Sequence, residues 1–94
     1  YPAVEHDLAI VVDNTVTCED LERRITSAGG KLLEGVRLFD VYRDPVRIGK
    51  GKKSMAFALT YRSDDHTLTS EEVEKAHQKI VTKVCKGVNG EVRG

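Results

Sequence analysis

Two runs of alternating apolar residues, Val36 to Arg43 and Ser54 to Tyr61, separated by a break containing Pro45, Gly49 and Gly51, constrain this chain more than any other feature. A period of two over such lengths, interrupted by turn residues, reads as neighbouring antiparallel strands at the centre of a small sheet. Alternation predicts that Phe39, Val41, Met55, Phe57, Leu59 and Tyr61 form a core face. It sends Leu38, Asp40, Tyr42, Ser54, Ala56, Ala58 and Thr60 the other way. The first set needs a covering layer; the second is small and polar around one tyrosine and one carboxylate, and is where a working surface is expected.

The flanking segments supply the layer. Val4 to Val12 alternates with Leu8, Ile10 and Val12 on one face and Asp7, Ala9 and Val11 on the other, and predicts a first strand. Thr17, with Asp20 three residues on and Val16 and Leu21 in stapling positions, predicts a helix start. Its inward stripe is Cys18, Leu21, Ile25 and Ala28, and Gly29-Gly30 stops it. Leu68, Thr69, Glu72 and Val73 repeat the device for a second helix. There Val73, Ala76, Ile80, Val81 and Val84 face inward, Lys75, Lys79, Lys83 and Lys86 face out, and Gly87 is the expected stop. Gly90 to Arg93 then suits a short last strand with Val92 inward and Arg93 on the opposite face. The order strand, helix, strand, strand, helix, strand predicts an α+β ferredoxin-like split βαββαβ sandwich, a four-stranded antiparallel sheet with both helices on one face. Parity leaves Ala9, Val11, Asp40, Tyr42, Ser54, Ala56, Arg62 and Arg93 on the open face.

A chain of 94 residues supports one core, so residues 1–94 read as a single domain with one working surface. Formal net charge is zero, yet the hairpin tip gathers Arg43, Arg47, Lys50, Lys52 and Lys53 against Asp44. Such a cluster suits either a solubilising loop or a contact to phosphates. The lysine stripe of the second helix reads as a solvated face, with Glu71 supporting Lys75. Cys18 and Cys85 lack C-x-x-C spacing and read as reduced thiols of a cytosolic protein. No apolar run reaches the length of a membrane span, so no membrane partner is expected. Tyr1-Pro2-Ala3 has no secretory pattern and no initiator methionine, which suggests a piece of a longer chain.

Catalytic and metal motifs do not fit. Gly49-Lys50-Gly51-Lys52-Lys53-Ser54 lacks the glycine placement and following helix of a phosphate-binding P-loop. His6, His66 and His77 have no metal-ligand spacing among themselves or with the cysteines, so no metal is expected. No base and third group are placed to activate a nucleophile, and the domain reads as non-catalytic. Open sheet faces, by contrast, bind single-stranded RNA by stacking bases on aromatic rings and bonding their edges. Tyr42 suits the platform. Asp40 is the sharper feature, because a carboxylate repels phosphate and gains only by accepting specific donors such as the two adjacent N–H groups of guanine. A plain ion pair with Arg93 or Arg62 across the sheet accounts for it equally well.

Five stretches together resemble the ferredoxin-fold anticodon-binding domain that closes the β subunit of bacterial phenylalanyl-tRNA synthetase. They are Tyr1-Pro2-Ala3-Val4 with Asp7-Leu8-Ala9, the run Val36 to Arg43, Gly51-Lys52-Lys53-Ser54, Thr67-Leu68-Thr69 with Glu71-Glu72-Val73, and Val92-Arg93-Gly94. The resemblance implies a module that clamps the tRNA anticodon stem-loop, in the cytoplasm, beside the other β-subunit domains and the α subunit. It implies no cofactor in this domain, with ATP and Mg²⁺ used elsewhere in the parent ligase to attach phenylalanine. By resemblance Asp40, Tyr42, Ser54 and Arg93 face a guanine at the first anticodon base, and Ala9 lines the same surface. Lys50, Lys52 and Lys53 are the expected phosphate contacts. His6 departs from the family, which usually carries arginine before Asp-Leu-Ala, so a contact made by that arginine does not carry over. An amino-acid-sensing regulatory domain, which would bind at a dimer interface, is the alternative on this fold; the anticodon reading expects a monomer.

Overall fold

The computed structural model describes residues 1–92, with only the backbone of Val92, so Arg93 and its expected place on the open face lie outside the described residues. The elements run β1 (Val4–Asp13), α1 (Cys18–Gly29), a 3₁₀ turn (Gly30–Leu32), β2 (Leu33–Tyr42), β3 (Lys52–Tyr61), α2 (Ser70–Val88) and β4 (Glu91–Val92). The strands lie in the order β2-β3-β1-β4, and each neighbouring pair is antiparallel. Three strands of ten residues make the sheet; the expected fourth is a two-residue rung against Ile10 and Val11 of β1 among the described residues.

Both helices cover one sheet face because their apolar stripes have nowhere else to go. Leu21, Ile25 and Ala28 of α1 and Val73, Ile80 and Val84 of α2 close over Leu8, Ile10, Val12, Met55, Phe57, Leu59 and Tyr61. Burial of such side chains contributes about 1.5–3 kcal/mol each, which is what holds the layers together. Thr17 and Thr69 cap as the sequence reads, but only α2 closes the expected box. Thr17 accepts from the Asp20 amide, and Thr69 and Glu72 close a reciprocal box at α2. At α1 the Asp20 carboxylate turns instead to Arg23 and Arg24, where the attraction of two guanidinium groups outweighs one backbone amide.

Three expectations are corrected. Gly87 does not end α2: the helix continues to Val88, and Asn89 at φ 55° supplies the left-handed cap. Gly87 instead lets Arg24 lie close, since a Cβ there would sit 2.7 Å from Arg24 Nη1. Leu38 faces the core, opposite Phe57, because the register of β2 against β3 slips between Leu38 and Asp40. The extra residue is Phe39, which leaves the expected core face and is 47% exposed. Beyond that bulge the parity is the expected one, with Asp40 opposite Ala56, Val41 opposite Met55 and Tyr42 opposite Ser54. Val41, at the far end of an edge strand, still shows 38% of its surface.

Gly90 is required where the chain turns from α2 into β4. A Cβ there would meet Ile10 Cγ2 at 2.9 Å, Val12 Cγ1 at 3.1 Å and the Val11 carbonyl oxygen at 3.2 Å. Two of these neighbours are fully buried and cannot retreat. Gly90→Ala is expected to cost about 1–3 kcal/mol. Thermal unfolding checks it, with a midpoint at or above that of the parent chain as the contrary result.

Candidate nucleic-acid interface

On the face opposite the helices, strand pairing sets the candidate residues in two adjacent rungs. One runs Asp40, Ala56, Ala9 across β2, β3 and β1. The next runs Tyr42, Ser54, Val11, and reaches Glu91 on β4. Cross-strand partners share a face and rungs two residues apart lie roughly 7 Å from one another, so Ala9, Asp40, Tyr42 and Ser54 form one patch. Alanine on β1 and β3 leaves space between the polar groups at its edge.

Within the patch the groups differ in access. Asp40 is exposed and no hydrogen bond or ion pair among the described residues engages its carboxylate. Arg62, one partner considered for it, instead holds Glu34 at 3.0 Å. Arg62 lies six residues along from Ala56, roughly 20 Å of strand, which removes it from the patch. Tyr42 is half-buried and its hydroxyl donates to Asp44 Oδ2 at 2.9 Å. Ser54 is 3% exposed between Tyr42 and Val11, so its hydroxyl is part of the floor, below the rim.

The basic tip stands at the Tyr42 end. Arg43, Arg47, Lys50 and Lys52 are exposed there. The loop is tied down at both sides: Arg43 Nε donates to Asn14 Oδ1 at 3.3 Å, and the Asn14 amide donates to the Gly51 carbonyl at 2.7 Å. Gly49 at φ 117° and Gly51 at φ 74° take backbone conformations that residues with a side chain rarely adopt. Lys53 leaves this cluster. It pairs with Val12, on the helix side of the sheet, and is 8% exposed. The bonds from the Thr15 amide and hydroxyl hold the nearby Asp13 carboxyl below the ordinary range, and the charges of Lys52 and then Lys53 add to this.

His6 also sits on the helix side, paired with Leu59, and its ring lies 4.0 Å from that of His77. Parity of β1 already separates it from Ala9. Sequence reasoning missed His77 as an inward residue and Asp44 as a partner of Tyr42. The 73, 77, 80, 84 spacing was a legible signal for the first; nothing local announced the second. Cys18 and Cys85 are free thiols, and burial pushes both above their ordinary value, which makes poor nucleophiles of them. Among the described residues no group of three or more His, Cys, Asp and Glu is arranged to hold a metal ion. Among the same residues no helix is long and apolar enough to cross a membrane.

A family model described as Ferredoxin-fold anticodon binding domain matches residues 1–93. The chain is 45% identical over 93 residues to the phenylalanine–tRNA ligase β subunit of Clostridium tetani, covering 99% of this chain and 12% of that protein. It is 47% identical over 93 residues to the β subunit of Symbiobacterium thermophilum, with 99% and 10% covered. Against the Bacillus subtilis β subunit it is 52% identical over 81 residues, with 86% and 10% covered. The chain thus spans about a tenth of the length of these relatives.

Proposed function

The chain belongs to the ferredoxin-fold anticodon-binding domain family, and from that premise we propose that it binds the anticodon stem-loop of a tRNA on the sheet face opposite its helices. The observation that carries this reading is the pair of adjacent rungs bearing Asp40 and Tyr42 beside an anchored basic loop. Tyr42 stacks the first anticodon base. The exposed Asp40 carboxylate accepts from the N1–H and exocyclic amine of a guanine there, which adenine cannot supply. Ala9 and Ala56 leave room for the base, Ser54 forms the floor, and Arg93 joins the set by family resemblance. Lys50 and Lys52, with Arg43 and Arg47 beside them, contact the phosphates; Lys53, facing the helix side, is left out.

On this reading residues 1–94 are the C-terminal module of a phenylalanine–tRNA ligase β subunit, a four-stranded ferredoxin-like sandwich working as a monomeric unit in the cytoplasm. The remaining β-subunit domains and the α subunit carry the ATP- and Mg²⁺-dependent attachment of phenylalanine, and this module contributes positioning alone. Filter binding against stem-loops with guanine or another base at the first anticodon position tests the reading. Equal binding to a duplex of the same charge would overturn it. Replacing Lys50 and Lys52 by alanine should weaken all stem-loops alike and reduce the salt slope by about 0.7 for each single-strand phosphate no longer neutralised. An unchanged slope would show that the tip does not touch the backbone.

A further inference from the structure

The geometry points to Asp44 as a positioning residue that joins the base-stacking ring and the phosphate-contacting loop into one unit, a role that rests on the anticodon reading. Three kinds of bond meet on this side chain. Its Oδ2 accepts from the Tyr42 hydroxyl at 2.9 Å and lies 3.9 Å from Arg47 Nε. Its Oδ1 accepts from the amides of Val46 at 3.0 Å and Arg47 at 3.2 Å. Its own carbonyl accepts from the Ile48 amide at 2.8 Å.

A tyrosine in an edge strand turns about its two side-chain torsions unless something holds the far end of the ring. The Asp44 carboxylate does this, and a charged acceptor makes a stronger bond than a neutral one. The same carboxylate fixes the start of the loop by an Asx turn. Arg47 and the residues leading to Lys50 and Lys52 are therefore set in a constant relation to the Tyr42 ring. The carboxylate is partly buried and its charge is taken up by these donors, so it need not oppose an incoming phosphate. Preorganisation of this kind favours binding because the ring and the loop are ordered before the RNA arrives.

A double-mutant cycle on the 94-residue chain tests the coupling, using an anticodon stem-loop with guanine at the first anticodon position and a duplex of equal charge as control. Tyr42→Phe keeps the ring and removes the hydroxyl, and should weaken stem-loop binding about 2- to 10-fold. Asp44→Ala should weaken it on the order of 10-fold, and in that background Tyr42→Phe should cost less than about 2-fold. Asp44→Asn, which keeps an oxygen for the Val46 and Arg47 amides, should fall between. Hydrogen exchange at those two amides should quicken in Asp44→Ala and much less in Asp44→Asn, with unfolding midpoints close to the parent's.

Additive losses in the cycle, with guanine preference intact, would overturn the positioning role and leave the anticodon reading standing. So would tighter binding and a steeper salt slope in both Asp44 variants, the signature of a carboxylate that only repels phosphate. If the parent chain binds stem-loop and duplex alike, the anticodon reading fails and this role fails with it.

Discussion

Asp40→Asn is expected to remove most of the preference for guanine at the first anticodon base while leaving overall stability unchanged. A bidentate contact to a base edge carries about 1–3 kcal/mol of discrimination, roughly 5- to 150-fold in relative affinity. An amide presents one acceptor where the carboxylate presents two, and sets its N–H₂ against a guanine donor. The change is otherwise conservative, because Asp40 is exposed and no ion pair or hydrogen bond among the described residues engages it. Tyr42→Ala should behave differently, costing about 1–3 kcal/mol whichever base is present, since stacking tolerates sequence. Stem-loops carrying guanine, inosine and adenine separate the two: inosine keeps N1–H and lacks the amine, so it should fall between the others with the parent chain. Unchanged ratios in Asp40→Asn would sink the guanine reading. Arg93→Ala, on the same reading, should lower both affinity and discrimination.

Removing the Tyr61 ring should be the most damaging single change to the fold. Tyr61 is fully buried, and its loss to alanine is expected to cost about 3–5 kcal/mol, a large share of a small domain's total. Its hydroxyl lies 3.1 Å from His77 Nδ1. Burial pushes the Tyr61 pKa up to about 12, so the hydroxyl keeps its proton and the bond joins it to a neutral His77 ring. Burial, and then the nearby His6 ring, hold the His77 pKa below its ordinary value of 6.5. The unfolded chain therefore takes up a proton, as pH falls through 6.5, that the folded chain refuses. Stability contributed by neutral His77 is present above that pH and is lost below it, with a slope of at most about 1.4 kcal/mol per pH unit for one proton.

Asp20 adds to the loss at lower pH. Its carboxyl is held below the ordinary range by the bond from Arg24, so its contribution is present at neutral pH and goes as it protonates. Melting midpoints at pH 7.5, 6.5 and 5.5 should fall steadily for the parent chain and more gently for His77→Leu. A parent midpoint that stays level across that range would mean that folded His77 accepts the proton freely.

The open face was legible because alternation is a two-valued signal. From Asp40 to Tyr42 and from Ser54 to Ala58, knowing which residues are apolar assigns each side chain to a face. Both helix starts were legible for the same local reason: Thr17 and Thr69 need only neighbours three residues away to act as caps. Three things were decided by the tertiary structure alone. The bulge at Phe39 depends on which β3 residue each β2 residue meets, and pairing is not a property of either strand by itself. Gly87 reads as a helix stop until Arg24 of the other helix is seen to lie against it. Lys53 counts as one more tip cation in the sequence, and only pairing with β1 extends β3 back past Ser54 to Lys52, so that the strand's alternation carries Lys53 to the helix side. Local spacing carries the first kind of information; contacts between residues far apart in the chain carry the second, because they exist only once the layers have closed.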